Sequence, residues 1–274
     1  MLTGTGIWSP LLRYGDPAEI GDAVAELESW GYTAVWLPDV GGDLFDAVDR
    51  ILAASSTLTA ATGILNIWKQ TTEATNAWWS GLQPADRDRT LLGLGVSHGP
   101  FIGADYTRPL AAMRTFVDAL DVPAEHLCIA ALGPKMLQLA KERTAGTHPY
   151  LVTPEHTAIA REALGSAALV APEQGVVLET DPAAARAIAR SQLGGYATLP
   201  NYVNNWKRLG FTDDDVTSLS DRLVDALVVW GDVDAIAARV AEHRAAGADH
   251  VCLQVLQQQG EPMPRSTWKA LAGV

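Results

Sequence analysis

Two glycine-containing turns stand out as places where a backbone could cradle an anion. Gly93, Gly95, Ser97 and Gly99 follow an apolar run, and such small residues let main-chain N–H groups come close to a phosphate. In Gly133-Pro134-Lys135-Met136 an apolar run passes straight into a helix start, which presents free N–H groups and the positive end of the helix dipole. The plain alternatives are an ordinary turn after a strand and a proline that only starts a helix. His98, directly after the first turn, is the best proton donor or acceptor, because the unperturbed imidazole pKa of about 6.5 suits either role. His148 is a second candidate, for polarising a substrate oxygen, set against a simple packing role. Asp39, Asn66, Trp8, Trp68 and Tyr150 each follow an apolar run in the same way. Such a ring, aromatic and sparsely charged, suits a large planar ligand held by stacking better than a small, heavily charged one.

These residues need elements to position them, and the chain repeats one unit: amphipathic helix, glycine, buried strand. Asp16, Pro17 and Glu19 open a helix whose Ile20, Ala23, Val24, Leu27 and Trp30 recur at three- and four-residue intervals, and Gly31 ends it before a strand over 33–37. Near the other end Asp232 caps a helix carrying Ile236, Val240 and Ala241, Gly247 stops it, and 250–255 is an apolar strand. Between them strands are predicted at 58–64, 91–96, 127–132, 149–152 and 175–178, after a first at 5–9. Helices are predicted at 45–55, 72–82, 108–120, 134–143, 154–164 and 182–193. Eight strands alternating with helices match a (β/α)8 TIM barrel, typically about 250 residues, with an open doubly wound sheet as the rival. Residues 198–230 form a short helical insertion before the last helix, either a lid or interface element or a solvated excursion. No low-complexity stretch divides the chain, so 1–274 reads as a single TIM-barrel domain. In that architecture reactive groups sit at the C-terminal ends of strands, which is where the candidates fall.

Composition narrows the function. Among 274 residues, 20 Lys and Arg against 32 Asp and Glu give a net charge of −12, which repels nucleic acid and anionic membrane surfaces. Cys128 and Cys252 lie in apolar runs and read as reduced core thiols. No signal-like start and no uninterrupted apolar run of about 18 residues is present, so a cytoplasmic protein is expected. The 93–99 run is spaced G-x-G-x-x-x-G and misses the dinucleotide fingerprint; Walker A, nucleophile-elbow and H-E-x-x-H motifs are absent. The six histidines include no H-x-H after the first strand, so no metal is expected. A homodimer stays open.

Several segments in order carry a resemblance: G-I-W-S-P at 6–10, A-V-W-L-P-D at 34–39, T-G-I-L-N at 62–66, L-G-L-G-V-S-H at 92–98 and A-L-G-P-K-M at 131–136. They continue through 146–157, 171–182 and L-P-N-Y-V-N-N-W at 199–206. The sequence resembles the luciferase-like monooxygenase superfamily, and within it the group that uses the deazaflavin coenzyme F420. The resemblance implies a bacterial-luciferase-like TIM barrel in which Asp39 contacts the deazaflavin ring and Gly63-Ile64 forms a bulge with a non-prolyl cis peptide behind it. It implies too that Gly95, Val96 and Ser97, with Gly133, Pro134, Lys135 and Met136, lie along the coenzyme's side chain and phosphate; Asn66 joins this cofactor-binding set. Two departures matter. His98 stands where the sugar-phosphate dehydrogenase of this group has its catalytic glutamate, and Val40 replaces the histidine after the ring-contacting acid, so that substrate is not expected. The expected activity is hydride transfer between deazaflavin C5 and a small, largely apolar organic substrate, with His98 and His148 as the catalytic candidates. The alternatives are an FMN-dependent luciferase-like monooxygenase and a non-catalytic carrier of a flavin-like ligand.

Overall fold

The computed structural model describes residues 1–274. Its strands are β1 (Gly4–Trp8), β2 (Ala34–Leu37), β3 (Thr59–Thr62), β4 (Leu65–Asn66), β5 (Thr90–Gly95), β6 (Leu127–Ile129), β7 (Gly146–Thr147), β8 (Leu169–Val170), β9 (Glu173–Val177), β10 (Val228–Trp230) and β11 (His250–Val255). All pair in parallel, in the order β10-β9-β11-β1-β2-β3-β5-β6-β7-β8, with β4 beside β5. Parallel neighbours need long crossovers, and the helices supply them. The result is a curled parallel sheet whose first and last long strands pair, Ile7 opposite Leu253.

Covered on both sides, the strands are buried along most of their length, β5 and β9 throughout. Alternation along β2 sends Val35 and Leu37 outward to the helices and Ala34 and Trp36 inward. The inner face also collects Ala61, Leu91 and both cysteines, which are free and buried. The outer face meets helix stripes such as Ile20, Ala23, Val24 and Leu27 of Pro17–Ser29, which Asp16 caps through Ala18 N.

Three expectations need correction. The sixth strand lies at Gly146–Thr147, not 149–152. Pro149 has no N–H to give a central ladder, Leu151 is left-handed at φ +53°, and its N–H goes to Glu173 Oε2 instead. The strand expected at 175–178 begins earlier, as β8 and β9 separated only by Ala171 and Pro172. The insertion is neither short nor wholly helical. It holds helices Pro200–Arg208, Asp213–Ser218 and Asp221–Leu227 and then β10, whose Val228-Val229-Trp230 lies beside Gly175–Val177. Helix Val233–Ala245 that follows is not the last, since Arg265–Ala270 comes after β11. No helix is long and apolar enough to cross a membrane.

Candidate active site

The C-terminal ends of the strands from β1 to β7 surround a cavity of about 220 Å³. Asp39, two residues past β2, sits in its wall and ties neighbouring loops together. Its Oδ2 accepts from Asn66 N at 3.2 Å and Gln70 Nε2 at 3.3 Å, and its carbonyl accepts from Lys69 Nζ at 2.9 Å. Its own N–H donates to Ile64 O. The Gly63–Ile64 peptide is cis. Only glycine fits at 63: a Cβ there would lie 2.6 Å from Trp8 Nε1 and 2.9 Å from His148 Nε2. Trp8 Nε1 donates to Gly63 O at 2.6 Å, fixing this wall to β1. Gly95, Val96 and Ser97 extend the wall from β5, with Ser97 left-handed at φ +51°.

The two histidines differ in environment. His148 is buried at the cavity floor, stacked on Trp36 with ring centroids 3.9 Å apart. Its Nδ1 donates to Ala171 O at 2.7 Å, and burial pushes its pKa down to about 4, so the ring is neutral at physiological pH. Nε2 is then a lone-pair acceptor, and it has no partner in the protein. His98 is half-buried between Phe101 and Tyr202. Its Nδ1 lies 3.2 Å from Asn201 Oδ1, which can only accept, so Nδ1 carries the proton and Nε2 is free. Burial lowers the pKa of His98, and the bond to Asn201 opposes that shift.

The far wall comes from residues that sequence reasoning does not single out. Tyr196 ends the helix Pro182–Tyr196, Asn201 and Tyr202 come from the first inserted helix, and Phe101 lies just after His98. Trp206 Nε1 donates to Leu151 O at 3.2 Å and holds that inserted helix over the cavity. The mixture of aromatic residues in 198–230 is the available signal, but nothing in their spacing says which of them turn inward. Beneath this wall lies Glu173, with no exposed surface, one oxygen bonded to Leu151 N and the other unpaired. Burial raises its pKa to about 8.

The structure thus brings Asp39, Gly63, Ile64, Asn66, Gly95, Val96, Ser97, His98 and His148 to one cavity. It leaves Gly133, Pro134, Lys135 and Met136 outside the cavity wall, although Ala130 and Leu132 of the same loop line it. Both glycine turns nevertheless lie at the same end of the sheet, since β5 and β6 are parallel neighbours. Gly133 precedes the helix Pro134–Arg143, and Arg208 stands beside it, donating to Leu132 O at 3.3 Å.

No family model matches the sequence, and no curated protein matches it. Solved structures do. An F420-dependent secondary alcohol dehydrogenase in complex with an F420-acetone adduct is similar at a TM-score of 0.73 and 14% identity, over 93% of this chain and 94% of that one. A coenzyme F420-dependent tetrahydromethanopterin reductase from Methanopyrus kandleri gives 0.73 and 14% over 99% and 97%. The oxygenating constituent of 3,6-diketocamphane monooxygenase from Pseudomonas putida, in complex with FMN, gives 0.66 and 12% over 99% and 97%. The structures similar to this chain thus include F420-dependent oxidoreductases and a monooxygenase complexed with FMN, and the chain shares their fold. At these identities the likeness is one of fold alone.

Proposed function

We propose that the protein is an oxidoreductase that moves a hydride between coenzyme F420 and a small, largely apolar organic substrate. The observation that carries this reading is the convergence on one cavity of Asp39, Ile64, Asn66 and Gly95–His98 from one side and His148 and Tyr150 from the other. In this reading β8 and β9 act as one strand broken at Pro172, which makes the sheet a closed (β/α)8 barrel and residues 1–274 one domain. Bonds across the break support it: Ala171 N to Thr147 O, and Cys252 N to Pro172 O.

The residues present fit a planar redox ring. The wall is mainly apolar and aromatic, and the buried Nε2 of His148 is an acceptor that no protein group meets. At about 220 Å³ the cavity is smaller than the roughly 300 Å³ at which sites enclosing whole drug-sized ligands begin, so it takes a headgroup and leaves a tail on the rim. Asp39, Gly63, Ile64, Asn66 and Gly95 would hold the ring. Val96, Ser97, Gly133, Pro134, Lys135 and Met136 would hold the side chain and phosphate. When bound, deazaflavin exchanges hydride at C5 and reacts poorly with oxygen. The protein then has to orient the substrate, exclude water and manage one proton. Tyr150, Tyr196 and Tyr202 exclude water. His98, neutral and with Nε2 free, accepts a proton from a substrate hydroxyl or returns it to a carbonyl. His148 Nε2, its Nδ1 committed to Ala171, accepts a hydrogen bond at the floor.

The partners of this reading are the substrate and, at most, a second copy of the chain. Titration separates the cofactors: oxidised deazaflavin should quench tryptophan fluorescence at low micromolar concentration, since Trp8 lines the cavity, and FMN far less. Equal or reversed affinities sink it. The monooxygenase complexed with FMN favours a second reading, an FMN-dependent monooxygenase, for which oxygen consumption with FMN and a reductase is the test.

A further inference from the structure

A second chamber, of about 380 Å³, opens on the same rim between the ends of β1 and β11. Trp8 belongs to the walls of both cavities, and the Tyr150 ring lies 5.6 Å from it, so these two aromatic residues form the partition. The Tyr150 hydroxyl bonds across that partition. It donates to Gln254 Oε1 at 2.8 Å and accepts from Gln192 Nε2 at 3.1 Å, and both glutamines line the second chamber.

Each of those bonds uses one end of an amide. The Gln254 nitrogen and the Gln192 oxygen have no other partner in the protein, and both reach solvent. A third unpaired group belongs to the same wall: Trp268 is 1% exposed, and its Nε1–H bonds to nothing. Buried indole N–H groups nearly always find an acceptor, so an unpaired one in a chamber wall marks a place for one. These two donors and one acceptor come from β11, the helix Arg265–Ala270 and the helix Pro182–Tyr196, beside Ser9, Ser191 and Gln257–Gln259 of the same lining. Its one formally charged side chain, Glu261, is exposed. Leu11, Ile188, Leu256 and Pro264 give it apolar surface.

We propose that this chamber is a subsite for a neutral carboxamide group on an otherwise apolar small molecule. The amide oxygen accepts from Trp268 Nε1 and Gln254 Nε2, and the amide N–H donates to Gln192 Oε1. A carboxylate lacks the donor and meets Glu261 in a chain of net charge −12. An ammonium lacks the acceptor. A hydroxyl puts donor and acceptor on one atom, whereas an amide spreads them over two, to match groups from three separate elements. That this molecule is the substrate rests on the reading that the neighbouring cavity holds the coenzyme ring; the subsite does not.

The test is a titration of the 15N-labelled full chain with butyramide, butyrate, butylammonium and 1-butanol, followed by NMR. Butyramide should shift the Trp268 indole and Gln254 side-chain signals saturably in the millimolar range, with the other three at least tenfold weaker. Gln192→Leu and Gln254→Leu should each weaken butyramide about tenfold while resonances remote from the chamber stay in place, which shows that the variants fold. Equal binding of butyrate or butanol, no movement of the Trp268 signal, or full affinity in Gln192→Leu overturns the subsite. Butyramide binding without binding of deazaflavin or FMN keeps the subsite and removes the oxidoreductase reading; the converse result does the reverse.

Discussion

A histidine can move a proton only from the nitrogen that the protein leaves free. At His98 that nitrogen is Nε2, because Asn201 Oδ1 holds the other, and burial keeps the ring neutral. His98→Ala should therefore lower turnover by about 10²-fold or more, the usual worth of a positioned acid or base, with coenzyme affinity nearly unchanged. Stopped-flow rates and fluorescence titration read the two separately, and an unchanged rate would mean that the proton goes elsewhere. Asn201→Asp places a carboxylate on Nδ1 and favours the charged ring, so the His98 pKa rises. The acidic limb of kcat/KM should then move to higher pH, where the conservative loss in Asn201→Ala moves it the other way. His98 and Asp39 are legible in the sequence because each comes two residues after an apolar strand expected at 91–96 or 33–37, whereas His148 precedes the strand expected at 149–152 and is placed by the two-residue β7. Asn201 and Tyr202 are not, because they arrive from an insertion whose docking depends on tertiary contacts such as Trp206 to Leu151.

Elements with strong punctuation read well. The helices Pro134–Arg143 and Pro154–Leu164 begin and end where a first-turn proline and helical spacing place them, and Asp232 caps Val233–Ala245 through Ala235 N. Short strands read poorly. β7 and β8 have two residues each, too few for periodicity to mark, and β10 is a three-residue apolar run after a helix. What fixes such strands is close approach of neighbouring backbones. A Cβ at Gly93 would lie 2.1 Å from Thr62 O, so Gly93→Ala must part β3 from β5. It should cost roughly 3 kcal/mol or more in urea denaturation, at the upper end of overpacking losses. Gly194 lies in helix Pro182–Tyr196, where a Cβ would meet nothing within 4 Å. Gly194→Ala should instead gain about 0.5–1 kcal/mol. Equal effects at the two sites would mean that the sheet spacing is looser than the structure has it.

The fold as a whole carries buried titratable groups of opposite sense, and together they set its stability against pH. Burial lowers five histidines: His98, His148 and His156, the last two to about 4, and His243 and His250 to about 3. In the unfolded chain they take up protons below about 6.5 while the folded chain still does not, so stability falls as the pH drops from about 6.5 toward 4. Glu173 works the other way. Its folded pKa, raised by burial to about 8, keeps it protonated where the unfolded chain has already ionised, so the stability it confers is lost as pH climbs from about 4.5 to 8. Below about pH 7 the histidines together outweigh Glu173; above it Glu173 prevails. The melting temperature should therefore peak near pH 7, fall steeply on the acid side, and fall gently toward pH 8 at no more than about 1.4 kcal/mol per pH unit. On a chain of this size that is roughly 2–4 °C for each kcal/mol. Glu173→Gln retains an oxygen for Leu151 N and removes the titration, so calorimetry from pH 5 to 8.5 should show the alkaline decline flattened and the acid one intact. A wild-type profile still rising between pH 7 and 8 would mean that Glu173 is ionised in the folded protein, and that the floor beneath the tyrosine wall holds a negative charge.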